Sequence, residues 1–366
     1  TGYVKVDSVR RRYIFDRAFD NLNYCLALSD KLLKQADAIL TGKEKAFSLP
    51  DFVRGVQPVI QDGGFKVNGR ELMLFGPQTW TNVRGFNDEH FPIIAKTGLN
   101  FVNNFYVGGA RRDKLVKYAE DNNLYFSYGA STATILNAET IKTPYYMGRV
   151  NNPNHYLSPL KYFSPNMVFS IGQGEQFPRK YEMTPEWAAE FQAYLKQKFG
   201  SIMKLNSALS TSFKDFSEIN YSICLQNPAL KYESFVYRLS VTLPQQKGDT
   251  DFKREYFKRP VSTHYSTHYN IAGLDPLVVL CDFEGIWGLF DVIGFDGGVG
   301  MDGSAYALDF SKGMIECDMA RSFYPEKPIA NNEAHIFNEA SYDRYTYDQT
   351  YMSHLIAFLH GQNACS

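Results

Sequence analysis

Glu175 and Glu333 are the ionisable residues whose settings most invite chemistry. Each ends a short apolar run: Glu175 closes MVFSIGQGE (167–175) and Glu333 closes KPIANNE (327–333). Two carboxylates about 5 Å apart, with an anomeric carbon between them, are the apparatus of retaining glycoside hydrolysis. One attacks the carbon to form a covalent glycosyl intermediate. The other protonates the departing oxygen and then activates water. The acid/base must then hold its proton at working pH while the nucleophile stays ionised. A lone glutamate is usually a solvated loop residue. The shared position at the end of an apolar strand sets these two apart.

Strand alternation adds neighbours. If Glu175 faces inward, so does Gln173; if Glu333 does, so does Asn331. Both amides can donate to and accept from hydroxyls, or simply fill a polar interior. Asn103, Asn104 and Tyr106 end the run at 100–107, and Asp296 ends the run at 290–298. His264, Tyr265 and His268 lie in 259–270. His264 and His268 would form a metal pair on a helix, but THYSTHY is β-branched and aromatic, so a strand without metal is expected. Tyr265 is the candidate to hold a nucleophilic carboxylate ionised. Trp80 and Trp287 are candidate platforms for a sugar ring, or core.

These residues need a scaffold that brings strand ends together. From Leu72 onward, short apolar runs alternate with helical stretches. The runs fall at 71–80, 100–107, 124–130, 167–175, 259–270, 290–298 and 327–335. Helical patterns fall at 88–98, 111–123, 184–200, 305–323 and 348–361. Such alternation predicts βαβ units and a parallel sheet. A doubly wound sheet fits the count, but no G-x-G-x-x-G follows the first strand. A (β/α)₈ TIM barrel needs an eighth strand, and NACS (363–366) reads as its beginning, cut short at the C-terminus. Before the barrel, residues 8–41 read as one helix that packs on the main body, and Asn68-Gly69 marks a hairpin turn. The expected organisation is therefore an N-terminal helical extension and linker over 1–62, then a barrel over 63–366.

Composition sets outer bounds. Hydrophobic residues are 44% and charged residues 21%, an ordinary globular balance. The charge sum is 38 − 39 = −1, so no basic excess serves nucleic acid. No apolar run reaches the ~18 residues of a membrane span. The five cysteines are scattered without a C-x-x-C pair, which argues for buried apolar residues over zinc or disulfides.

The stretch WAAEFQAYLKQKFGSIMKLNSALSTSFKDFSEI (187–219) resembles glycoside hydrolases of clan A, and within them family 42, the β-galactosidase-type family. The resemblance rests on Phe199-Gly200, Leu205-Asn206 and Thr211 to Phe213, with Leu209 where a Trp is usual. NPALKYESFVYR (227–238), FDVIGFDGG (290–298) and KPIANNE match in order and spacing. The likeness covers about residues 63 to 366 and implies a retaining β-glycosidase without cofactor. It places the acid/base at Glu175 and the nucleophile at Glu333. One departure stands out. The family puts Asn before the acid/base to bind the sugar 2-hydroxyl, and here that residue is Gly174. Either another donor replaces it or the substrate differs at that carbon. The expected partner is an oligosaccharide or polysaccharide, with no nucleic acid and no membrane. Oligomeric state, sugar and linkage stay open, as does a non-catalytic glycan-binding barrel.

Overall fold

The computed structural model describes residues 8–45, 56–77, 90–103, 109–129, 164–171, 185–264, 282–298, 311–335 and 347–365. In chain order they form α1 (Ser8–Leu40), β1 (Val59–Gln61), β2 (Gly64–Val67), β3 (Arg70–Leu72), β4 (Leu74–Phe75), α2 (His90–Lys96), β5 (Phe101–Val102), α3 (Gly109–Asp121), β6 (Tyr125–Gly129) and β7 (Met167–Ile171). Then come α4 (Pro185–Phe199), α5 (Ile202–Leu209), α6 (Tyr221–Gln226), α7 (Pro228–Phe257), β8 (Val261–Ser262), α8 (Phe283–Gly288), β9 (Ile293–Gly298), α9 (Ser311–Phe323), β10 (Ile329–His335), α10 (Tyr347–Leu359) and β11 (Gln362–Cys365).

β1, β2 and β3 form an antiparallel hairpin sheet. Its turns are Asp62-Gly63 and the expected Asn68-Gly69, all four residues at positive φ, the backbone a type I′ turn requires. The run expected at 71–80 divides: β3 belongs to the hairpin sheet and β4 to the main one. The remaining strands make two parallel sheets, ordered β4-β11-β10-β9 and β5-β6-β7-β8. Residues 362–365 thus pair on both sides, with β10 and with β4. At one edge Ser262 bridges Val292 in parallel, supported by Thr263 N–H to Val292 O at 3.3 Å. At the other, Asn100 N–H reaches Phe75 O and Asn103 N–H reaches Pro77 O, each at 3.0 Å.

Alternation sorts the strand side chains into two environments. One set, drawn from both parallel sheets, packs together: Leu74, Phe101, Tyr125, Phe169, Ile171, Ala330 and Ala364, joined by Val292 and by Phe65 of the hairpin. Phe169 stacks on Phe65 at 6.0 Å and lies 5.9 Å from Phe101. The opposite faces meet helices. Val102 and Phe126 pack with α2 and α3, while Ile293, Phe295 and Ile329 pack with α8 and α9.

The N-terminal ends of the strands are tied by side chains that bond main-chain groups. Asn100 Nδ2 donates to Met73 O at 2.7 Å, and its Oδ1 accepts from Phe75 N at 2.9 Å. Asn166 donates to Leu124 O at 3.0 Å. Arg259 donates to Met167 O and Ser164 O. Asp291 accepts from Val261 N–H. Arg321 donates to Lys327 O, Pro325 O, Gly361 O and Asn363 Oδ1. Burial pulls the guanidinium pKa of Arg259 and of Arg321 below its usual value; the carbonyls replace the lost water.

The motif residues of 199–213 are structural. Gly200 sits at φ +75°, a helix stop of the usual kind. Leu205 is buried in the cluster of Trp187, Phe191 and Leu195. Asn206 clamps the following turn, accepting from Phe213 N–H and Thr211 Oγ1 and donating to Phe213 O.

Two expectations are corrected. Residues 220–260, where the sequence pattern predicts no helix, are mostly helix: α7 is capped by Asn227, starts at Pro228 and carries Pro244 within it. Its periodicity is hidden because Arg238, Thr242, Gln246, Asp249 and Lys253 are buried on it. Lys253 and Asp249 pair at 2.7 Å. The second concerns α1, expected to pack on the body. Phe19, Leu22, Leu26, Leu32, Leu33 and Leu40 are exposed. Phe19, Leu26, Leu33 and Leu40 recur every seven residues, and on a straight helix such a stripe drifts about 20° per heptad.

No helix among the described residues is long and apolar enough to cross a membrane.

Candidate functional site

Above the apolar interior set, toward the C-terminal ends of the strands, the same alternation brings polar side chains inward. On β5, Phe101 is followed two residues on by Asn103. On β6, Tyr125 is followed by Ser127. On β10, Ala330 is followed by Asn332. Asn103, Ser127, Ser262 and Asn332 are all almost fully buried. They bond to one another. Ser127 Oγ donates to Asn103 Oδ1. Asn103 Nδ2 donates to the main-chain oxygen of Asn332 at 2.6 Å. Asn332 Nδ2 donates to Thr263 O at 2.7 Å and reaches Ser262 Oγ at 3.2 Å. Thr263 Oγ1 bonds the main chain of Gly294 on both sides, accepting from its N–H at 2.7 Å and donating to its carbonyl. β5 and β10 belong to different sheets, so the Asn103–Asn332 bond crosses the interior.

Gly294 makes room for this layer. A Cβ there would overlap Thr263 O, Asn332 Nδ2 and Ser262 Oγ. The requirement is one of close approach.

Glu333 follows Asn332 directly, and the ladder is irregular between them. Asn331 pairs with Phe295 and Glu333 with Asp296, leaving Asn332 as an extra residue on β10. This is a bulge, a device that re-aims side chains and recurs beside active sites. It interrupts the alternation that links Asn331 to Glu333. Asn331 is half-buried, and Asn332 is the residue whose side chain joins the interior layer.

The main chains of Glu333 and Asp296 are thus register partners at the C-terminal ends of adjacent strands. His264 lies two residues beyond Ser262 on β8 and is buried. Trp287 is also buried, but in α8, with its ring 4.9 Å from Phe283 and among Ile286, Phe290, Cys317 and Ala320. Of its two expected roles, core is the one it fills: alternation directs helix side chains to the outer face of the strands, away from the polar layer. Glu175, Gln173, Asn104, Tyr106, Tyr265 and Trp80 lie outside the described residues. The sequence reading missed Ser127, Ser262, Thr263 and Asn332. For Ser127 and Asn332 the available signal was a polar residue two places after an inward apolar one, Tyr125 and Ala330; Ser262 and Thr263 carry no such signal.

The cysteine near this end is not a nucleophile at neutral pH. Cys365 ends β11 opposite Asn331; burial pushes its thiol up to about 12, and only the thiolate attacks. Cys224 and Cys317 are likewise buried and unpaired by disulfide. Among the described residues no group of three or more His, Cys, Asp or Glu is placed to hold a metal ion.

Comparison with solved structures places this fold. An apo exo-carrageenase GH42 from Bacteroides ovatus superposes with a TM-score of 0.61 at 17% identity, covering 92% of this chain and 52% of that one. The chain therefore spans about half the length of that protein. The catalytic domain of a beta-amylase from Paenibacillus polymyxa superposes with a TM-score of 0.53 at 13% identity, covering 84% of this chain and 92% of that domain. At such identities the likeness shows the fold. The chain is an α/β protein with parallel sheets whose structural neighbours are TIM-barrel glycosidases. No protein-family model matches the chain, and no curated protein matches it in sequence.

Proposed function

We propose that this chain carries the barrel of a retaining glycoside hydrolase that acts on a glycan, with Glu333 as nucleophile and Glu175 as acid/base. In this reading the eight parallel strands close as a (β/α)₈ barrel. Support for closure comes from the hydrogen bonds at both sheet edges and from the Asn103–Asn332 bond between the two sheets. A helical extension precedes the barrel.

The observation that carries the proposal is the bulge at Asn332. Ala330 and Asn332 both serve the interior, so an unbroken strand would turn Glu333 to the helices. One extra residue lets two consecutive side chains share a face, and we take Glu333 to be the one turned inward at the C-terminal end, where barrel enzymes do their chemistry. Phe169 and Ile171 face the interior, and we take Gln173 and Glu175 to continue that parity. Val292 and Gly294 lead likewise to Asp296, and Ser262 leads to His264. Asp296, His264 and Gln173 are then the candidates to bind sugar hydroxyls, with Tyr265 beside the nucleophile and Trp80 as a stacking surface; Asn331 pairs with the helix-facing Phe295 and falls on the other face, and the parity of Phe101 and Asn103 does not carry to Asn104 and Tyr106.

Gly174 in place of the family's Asn favours a substrate other than a simple β-galactoside, and a polysaccharide-derived one is the better reading. The test is a panel of slow-hydrolysing 2-fluoro glycosides, extended to carrageenan and starch oligosaccharides because an exo-carrageenase and a beta-amylase share this fold. Mass spectrometry of the labelled peptide would find the sugar on Glu333. A label elsewhere would overturn the assignment. Equal oligosaccharide binding by wild type and Glu333→Gln, with neither releasing reducing sugar, would mark a non-catalytic glycan binder instead.

A further inference from the structure

We infer that Asn103, oriented by Ser127, is a positioning residue: it holds the main-chain carbonyl of Asn332 and thereby fixes the bulge that aims Glu333. The inference rests on the reading of Glu333 given above and adds what sets its geometry.

The extra residue of a bulge loses part of its regular ladder pairing. A buried carbonyl in that position needs another donor, because leaving it unmade costs free energy. The donor is Asn103 Nδ2, at 2.6 Å, from a strand 229 residues away in sequence. A free amide could turn over and present its oxygen to the carbonyl. Ser127 Oγ prevents this by donating to Asn103 Oδ1, which leaves Nδ2 as the end facing Asn332. On the far side, Asn332 Nδ2 is bonded to Thr263 O and Ser262 Oγ. The bulged residue is thus held by its carbonyl from β5 and by its side chain from β8. Buried, mutually bonded polar groups of this kind are rigid and specify one arrangement. All four side chains are neutral, so they add no counter-charge beside a carboxylate that must stay reactive. A reactive group has to be held to within about half an ångström.

The experiment compares Asn103→Ala, Ser127→Ala and Ser127→Thr with wild type. Two things are measured: inactivation by the 2-fluoro glycoside that labels wild type, with the rate constant and the binding constant separated, and crystal structures of the folded variants. In Asn103→Ala the inactivation rate constant should fall on the order of 100-fold at unchanged binding, the size expected of a misplaced reacting group. The crystal structure should show the Asn332 carbonyl turned and the register shift moved or lost. Ser127→Ala should give a smaller fall of the same kind, and Ser127→Thr, which keeps the hydroxyl, should restore most of it. A merely structural role would change melting temperature without that split or that rescue. An intact bulge in Asn103→Ala, or unchanged inactivation, would overturn the inference. If Asn103→Ala does not fold, the Ser127 pair decides through the same readouts. If no sugar labels wild type, the glycosidase reading fails by itself, and the bulge geometry in the variants still decides this one.

Discussion

At the N-terminal ends of the strands, Asn100, Asn166, Arg259, Asp291 and Arg321 bond main-chain groups of neighbouring strands. At the C-terminal ends, Asn103, Ser127, Ser262, Thr263 and Asn332 bond largely to one another within the interior. Both regions are polar, the first partly buried and the second fully buried, yet the first pins strand to strand and the second spans between sheets. A side chain that saturates a strand end stabilises the fold whatever lies above it. A side chain that holds another side chain or a bulge sets a geometry, and geometry is what a reacting group needs. In barrel enzymes stability and chemistry divide between the two faces in this sense.

The largest expected effect would break the comparison outright if it failed. Glu333→Gln should lower turnover on the order of 10⁴-fold, about 5 kcal/mol of transition-state stabilisation, with the melting temperature unchanged. Retained turnover would remove chemistry from the C-terminal end. Next, Arg321→Ala strips the donors from Gly361 O, Lys327 O, Pro325 O and Asn363 Oδ1. Losing these bonds at partly buried groups should cost about 3 kcal/mol in urea unfolding, with kcat of the folded protein unaffected. A kcat effect larger than the stability effect would mean the two ends are not independent. Gly294→Ala intrudes on the polar layer and should cost about 2 kcal/mol by overpacking; unlike Arg321→Ala, it should lower kcat as well.

The last expected effect is a pH dependence at the extreme alkaline end. The Cys224 and Cys365 thiols are pushed up from 9.0 to about 12 by burial. A thiol that is harder to ionise folded than unfolded contributes stability below the unfolded pKa and loses it as pH rises through the folded one. Urea midpoints should therefore hold steady up to about pH 9 and decline from there toward about 12. At pH 8, alkylation of Cys365 should proceed no faster than unfolding. Fast alkylation would show that the C-terminal end of β11 opens locally.

Much of the scaffold was legible because it rests on local periodicity. The hairpin turn at Asn68-Gly69, the helix stop at Gly200 and the alternation of apolar runs with helices are short-range patterns. α7 was not legible. Its buried Arg238, Gln246, Asp249 and Lys253 interrupt the apolar period that a single-sequence pattern reads, and Pro244 reads as a breaker. The fate of α1 was hidden for the opposite reason: an apolar stripe states that a helix can pack, not that it does.

The candidate site divides in the same way. Glu333 and Asp296 were found as acidic ends of apolar runs, and the structure sets them as partners in register. Asn332 was overlooked because strict alternation puts it, one residue from Glu333, on the face opposite that carboxylate. Its inward role depends on a bulge, and a bulge is a property of two strands. The sequence by itself determined which residues alternate, where helices stop and which carboxylates end strands, since each of these is decided within a few residues. Only the tertiary structure decided that Asn103 meets Asn332, because a bond across the interior exists only once strands far apart in the chain face one another.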